Sequence, residues 1–225
     1  MTAPARLSPI HDELQQLRPE WRECGDAQIA WRYDSADPNE SAMHTLGLCD
    51  LSPLAKLGVK GPNASAWLQQ QGLQLPASII EALYLADGEK DEGGWIVRLG
   101  SDEFFLESGL HGNVLSHLDA NLGRGRPGIS RVERQEATFL LTGSRTLEVL
   151  AQTCGIDFRE APAKRLVMTR IAGVNCSVLP EAADDLPRYR LWVDPTCAMA
   201  LWDSLEQISR ELGGQLVGAS ALYSQ

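Results

Sequence analysis

The sequence predicts an α+β fold built as a tandem duplication of one strand–helix–strands–helix unit. Residues 55–64, AKLGVKGPNA, alternate apolar and polar side chains, stop at Gly-Pro and continue with helical periodicity. Residues 137–146, ATFLLTGSRT, repeat this order of strand, glycine and helix. Further strands and a second amphipathic helix follow each run, so we expect mainly antiparallel sheets with the helices packed outside them.

The first copy is predicted over residues 54–122, and each of its segments has a local signal. Gly61 ends the first strand, and Trp67 and Leu68 point inward from the helix that follows it. A tight turn at 100–102 between two apolar runs is a hairpin signature. The predicted order is a strand at 54–60, a helix, strands at 82–86, 94–99 and 103–107, and a helix from 110 to 122.

The second copy, over residues 137–213, repeats that order. Gly143 follows its first strand, and Gly155 ends the helix after it. The predicted order is a strand at 137–142, a helix to 154, strands at 166–171, 175–179 and 189–193, and a long amphipathic helix at 201–212. We therefore expect residues 1–225 to form a single domain of two intimate copies, preceded by an N-terminal segment of residues 1–53.

The N-terminal segment is predicted to begin with a helix and continue with a strand. Ser8 is the expected N-cap, and Pro9 the first helical residue. Leu7, Ile10, Leu14 and Leu17 recur at helical spacing and should form one apolar stripe. A strand is expected at 28–33, followed by a polar turn region at 34–40.

Charge and composition exclude several function classes. The formal net charge of −10 argues against binding nucleic acid or an anionic membrane surface. No apolar run reaches the roughly 18 residues of a membrane span, and the N-terminus does not read as a signal peptide, so we expect a cytoplasmic protein. The five cysteines are widely spaced without a Cys-x-x-Cys pair, which favours reduced thiols over disulfides or a zinc site.

No strong catalytic motif stands out. The glycines at 58, 61, 93 and 94 lack the spacing and the Lys-Ser/Thr pair of a phosphate loop. His44, His111 and His117 do not share ligand spacing on one face. Glu181, Asp184 and Asp185 could hold a hard cation or act as an acid/base pair, but next to Pro180 and Pro187 an acidic loop is the favoured interpretation. Among the tryptophans, Trp67 and Trp202 are expected in the core. Trp95 and Trp192 lie on strands, where an indole can face a flat ligand or another subunit.

Two segments carry a resemblance to a known family. LGLCDLS at 46–52 and AKLGVKGPNA at 55–64 are similar to the G-L-F-D-V-S-x-x-G-K-I-x-V-x-G-P-D-A segment of glycine-cleavage T-proteins, which are aminomethyltransferases. LSPIHDEL at 7–14 resembles that family's first helix, and residues 189–219 resemble the stretch before its C-terminal domain. The resemblance implies a T-protein N-terminal-domain-like, folate-binding type of fold over nearly the whole chain.

The departures from the T-protein pattern concern its chemistry. T-proteins carry a Gly-Gly-x-x-Asp-Asp segment that supplies the acidic residue of the reaction, whereas GGWIVR at 93–98 has no Asp there. The T-protein glutamate that binds the pterin ring of tetrahydrofolate aligns with Arg190, which cannot accept the ring's N–H donors. A T-protein also continues beyond the position of Gln225 with an arginine-bearing segment and a second domain. We expect no catalytic residue in this chain.

A second resemblance leads to the first of three functional hypotheses. WIVRLGSDEFFL at 95–106 and FLLTG at 139–143 are similar to runs in the gamma subunit of heterotetrameric sarcosine oxidase. This implies a non-catalytic, structural subunit of a flavin-dependent N-methyl amino-acid oxidase or dehydrogenase. FAD and FMN would then lie on the partner flavoprotein subunits of a hetero-oligomer.

The other two hypotheses keep a ligand on this chain. One is a tetrahydrofolate-dependent aminomethyl or methyl transferase, or a folate-binding protein, of one-carbon metabolism. Its pocket is expected between the two copies, lined by Trp95, Arg98, Tyr189 and Arg190. The other is a stand-alone binding module that has kept the fold and changed its ligand.

Overall fold

The computed structural model describes residues 6–33, 39–87, 90–110, 113–123, 126–181 and 186–223. These form two compact units. Unit 1 comprises Met1–Pro53, Glu136–Ala163 and Val167–Gln225, and unit 2 comprises Leu54–Gln135 and Lys164–Leu166. The predicted α+β class with mainly antiparallel sheets is confirmed, whereas the single domain of two intimate copies stays a prediction.

Unit 2 contains the first copy, arranged around a five-stranded antiparallel sheet. Its strands are β4 (Lys56–Lys60), β5 (Ala82–Asp87), β6 (Lys90–Gly100), β7 (Glu103–Glu107) and β8 (Ser130–Val132), in the spatial order β5-β6-β7-β4-β8. Its helices are α3 (Ala64–Gln70) and α4 (Asn113–Leu122). Leu57, Val59, Phe104 and Leu106 on one sheet face and Leu115, Leu118 and Leu122 on α4 belong to a single buried cluster. The predicted inward position of Trp67 is confirmed, since it is buried in the same cluster.

Unit 1 contains the second copy and the N-terminal segment. Its six-stranded sheet has the order β10-β11-β12-β9-β3-β13. The strands are β3 (Gly47–Asp50), β9 (Ala137–Thr142), β10 (Val167–Ile171), β11 (Val174–Glu181), β12 (Arg188–Val193) and β13 (Gln215–Leu216). The other elements are α1 (His11–Gln16), the hairpin β1 (Glu20–Cys24) and β2 (Ala27–Arg32), α2 (Asn39–Thr45), α5 (Thr146–Thr153) and α6 (Ala198–Glu211). Trp202 of α6 is buried against Phe139, as the sequence predicts for a core tryptophan.

The duplication is visible in the strand order of the two sheets. In each copy the first strand pairs with the last strand of the copy, and the order β5-β6-β7-β4 is repeated as β10-β11-β12-β9. The first strand ends at a glycine of positive φ in both copies, Gly61 at 132° and Gly143 at 105°. The two copies therefore share one chain path and one type of turn.

The N-terminal segment differs from its prediction at three places. Helix α1 begins at His11 rather than at Pro9, because the Ser8 carbonyl and hydroxyl accept bonds from the backbone N–H groups of His11 and Ile10, forming a turn before the helix. Leu7 and Leu17 of the predicted stripe are exposed, whereas Ile10 and Leu14 are fully buried. The predicted turn region 34–40 lies mostly outside the described residues, and α2 begins at Asn39.

Gly143 has no room for a side chain. A Cβ atom there would lie 2.5 Å from the Thr45 carbonyl carbon and oxygen, and its φ of 105° is in a region that is almost restricted to glycine. The backbone N–H groups of Ser144 and Arg145 donate to the carbonyls of His44 and Thr45, so the close approach fixes α2 against the start of α5. The repeated glycine is thus a packing requirement as well as a turn signal.

We expect Gly143→Ala to lower the free energy of unfolding by about 2 kcal/mol or more, because both the backbone strain and the clash with Thr45 must be accommodated. Gly155→Ala is the matched control: it lies in the same unit, and its Cβ would meet nothing within 4 Å. Urea unfolding of both variants measures the difference. Equal unfolding midpoints would contradict this account of Gly143.

Candidate functional site

The four residues predicted to line a pocket belong to two strands in different units. Trp95 and Arg98 lie on β6 of unit 2, and Tyr189 and Arg190 lie on β12 of unit 1. Within each strand the two residues lie on opposite faces, as an odd sequence separation requires. The predicted common pocket stays a prediction, and the surroundings of each residue are described within its own unit.

Trp95 lies on the sheet face of unit 2 that is opposite to the apolar cluster containing Ile96. It is 4% exposed and pairs across the strands with Tyr84 on one side and Glu107 on the other. The Tyr84 and Trp95 rings meet edge to face with centroids 5.4 Å apart, a favourable geometry for aromatic side chains. The indole is therefore a packed element of the sheet rather than an exposed platform.

A buried ion pair continues the same cross-strand row. Glu107 pairs with Lys56 of β4, and Lys56 Nζ lies 3.3 Å from Glu107 Oε2. The two side chains are 2% and 0% exposed, and Lys56 Nζ also donates to the Leu54 carbonyl at 3.0 Å. Since charges taken out of water need partners, this pair holds Lys56 and Glu107 together on the sheet face of unit 2 that is opposite the apolar cluster.

Arg98 is engaged by the backbone of unit 2. Its guanidinium donates to the carbonyl oxygens of Pro76, Ala77, Gly100 and Ser101 at 2.8–3.3 Å. It also lies over the Phe104 ring, 5.6 Å from the centroid. These contacts join the loop before β5 to the turn after β6. The guanidinium N–H groups that could bind a ligand carboxylate are thus bonded to backbone carbonyls.

Tyr189 is part of the apolar core of unit 1. Its ring meets Phe158 edge to face at 5.7 Å, and it packs among the buried side chains of β9 and β11. Burial raises the pKa of the phenol, so its hydroxyl stays neutral at physiological pH. The residue behaves as a core aromatic.

Arg190 lies on the opposite face of β12 and forms an ion pair with Glu181 of β11. Arg190 Nε is 2.5 Å from Glu181 Oε1, and the side chains are 8% and 7% exposed. Trp192, two residues further along the same face, is 4% exposed. Each unit therefore has, on the sheet face away from its core, a buried ion pair and a buried tryptophan. The sequence analysis did not find either pair, because the partners come from different strands.

The Asp50-Leu51-Ser52 motif forms a buried turn at the end of β3. Asp50 Oδ1 accepts bonds from the Ser52 backbone N–H at 3.0 Å and from the Ser52 hydroxyl at 2.5 Å. The Ser52 hydroxyl in turn accepts from the backbone N–H of Thr138 on β9 at 3.0 Å. This is an Asx turn that joins β3 to the first strand of the second copy. The motif that carries the family resemblance thus has a structural role.

Two of the buried thiols, those of Cys49 and Cys176, have raised pKa values and stay protonated at neutral pH. Burial, with a smaller contribution from the Asp50 carboxylate, raises the pKa of Cys49 far above its usual range, and burial raises the pKa of Cys176 to about 12. Since the thiolate is the nucleophile and the metal ligand, neither cysteine suits covalent or metal chemistry. Within the part of the chain that the structure describes, no three His, Cys, Asp or Glu side chains are grouped to hold a metal ion. His111, Asp184 and Asp185 lie outside that part.

No helix among the described residues is long and apolar enough to cross a bilayer.

The fold defines a class: an α+β protein of the T-protein type, in which each of two copies contributes strands to a sheet with one apolar face and one face that carries a buried ion pair. Comparison with known families gives the particular family. The family described as the GCVT N-terminal domain matches residues 10–225, and the chain therefore belongs to it. The resemblance to T-proteins and to sarcosine oxidase is confirmed by the relatives described next.

Among curated proteins, an aminomethyltransferase of Moorella thermoacetica is 22% identical over 222 residues, covering 94% of this chain and 60% of that protein. Among solved structures, the glycine cleavage system aminomethyltransferase T of Bartonella henselae has a TM-score of 0.73 at 16% identity, over 96% of this chain and 60% of that chain. Heterotetrameric sarcosine oxidase of Corynebacterium sp. U-96 has a TM-score of 0.64 at 18% identity, over 93% of this chain and 97% of that chain. The chain thus spans 60% of the length of the aminomethyltransferases it matches.

The Arg190–Glu181 pair predicts a characteristic stability pattern. We expect Arg190→Met to lower the free energy of unfolding by about 3–5 kcal/mol, because it leaves the Glu181 charge buried without this partner. The double variant Arg190→Met/Glu181→Leu should recover most of the loss, since both charges are then removed. Arg159→Met, which breaks the exposed pair with Asp157, is the control and should leave unfolding unchanged. A double variant no more stable than Arg190→Met would refute this reading of the pair.

Cys176 predicts a loss of stability at alkaline pH. Because its pKa is raised from 9.0 to about 12 in the folded state, the folded protein holds the thiol proton more tightly than the unfolded chain. This stabilisation is complete below pH 9 and is lost as the pH rises towards 12. Between about pH 8 and about pH 10, Cys176 should contribute about 1.4 kcal/mol of the loss. Urea unfolding of Cys176→Ala at both values should show a loss smaller by that amount, and parallel losses in the two proteins would contradict the assignment.

Proposed function

We propose that this chain is a non-catalytic, structural subunit of a flavin-dependent N-methyl amino-acid oxidase or dehydrogenase of the sarcosine type. The observation that carries the proposal is the burial of Arg190 in an ion pair with Glu181 at 2.5 Å. By resemblance to T-proteins, Arg190 stands where a glutamate binds the pterin ring. A guanidinium has donors and no acceptor, so it does not replace that carboxylate.

The other residues expected at a folate pocket support the same proposal. Arg98 gives its donors to four backbone carbonyls, and Trp95 packs against Tyr84. The segment 93–98 lacks the aspartate that T-proteins use, and its two glycines lie against backbone: a Cβ on Gly94 would be 1.8 Å from the Glu107 carbonyl oxygen. In this proposal the frame is retained and the chemistry belongs to partner subunits that carry FAD and FMN.

The extent of the structural likeness also supports this proposal. The similarity to heterotetrameric sarcosine oxidase runs over 97% of the matched chain of that protein. A hetero-oligomer is therefore the proposed working form, with the amine oxidation carried out on the flavoprotein subunits.

We expect the affinity-tagged full chain, expressed in its own host, to co-purify with flavin-containing subunits in a fixed stoichiometry. The measurement combines the visible flavin spectrum with identification of the co-purified subunits by mass spectrometry. An untagged host is the control for adventitious flavoproteins. A stable monomer without any such partner would overturn the proposal.

The alternative is a tetrahydrofolate-dependent aminomethyl or methyl transferase, or a folate-binding protein. The TM-score of 0.73 to an aminomethyltransferase favours it, and Glu181 brings a carboxylate next to the position of Arg190. Calorimetry with tetrahydrofolate separates the two proposals. The structural-subunit proposal expects no binding by the isolated chain at millimolar ligand. Saturable binding that is weakened in Arg190→Lys, which keeps the charge but loses the planar fork, would favour the folate protein instead.

A further inference from the structure

We draw no further inference here: the strongest candidate, the outer edge of strand β10 at residues 168–170, is a short opening between the Leu166 N–H, which donates to the Ile80 carbonyl, and the Ala172 N–H, which donates to the Thr153 carbonyl, and nothing in the described part of the chain shows what covers it.

Discussion

The structure depends on how each sheet places charge on its second face. Both sheets use one face for an apolar cluster, and both bury polar side chains on the other face, where Lys56 meets Glu107 and Arg190 meets Glu181. A buried charge is stable there only beside its partner, so each pair constrains the residue type at one position on each of two strands. Replacing one member of a pair therefore affects both strands that the pair joins, and the neighbouring side chains on that face must accommodate two charges.

This constraint bears directly on ligand chemistry. A pterin ring presents N–H donors that a carboxylate can accept, and the position that resembles the pterin-binding glutamate holds a guanidinium. Glu181 Oε1 lies 2.5 Å from Arg190 Nε, so this oxygen has an internal partner. A chain that carries a buried ion pair at this position is suited to a structural role beside a partner subunit, which is the basis of the structural-subunit proposal.

The sequence predicts the elements that have helical or strand periodicity or a clear turn signal at their end, and it misses short elements that have neither. Strand β9 is predicted with its observed bounds, because a glycine ends it and a helix follows. Strand β3, which is fully buried as β9 is, is missed because its four residues are followed by Leu51-Ser52-Pro53 and not by a glycine and a helix. The ion pairs are missed for a different reason: Lys56 and Glu107 are 51 positions apart, and only the strand register brings them together. The candidate site residues are correctly placed on strands, but the sequence could not reveal that Arg98 is bonded to backbone carbonyls, since those carbonyls belong to two separate loops.

The duplicated frame also explains where the copies can differ. Gly58 and Leu140 are equivalent positions, since each lies three residues before the glycine that ends the first strand of its copy. Gly58 pairs with Phe105 in the first copy, and Leu140 pairs with Arg190 in the second. Equivalent second-face positions thus hold an aromatic ring in one copy and a cation in the other, while the core-facing neighbours remain apolar. The segments before β5 and β10 follow the same rule: Ile80 and Lys164 both have positive φ, 63° and 58°, on the two sides of the Glu81–Arg165 bridge. The backbone is shared because it is fixed by hydrogen bonds, whereas the exposed side chains are free to diverge.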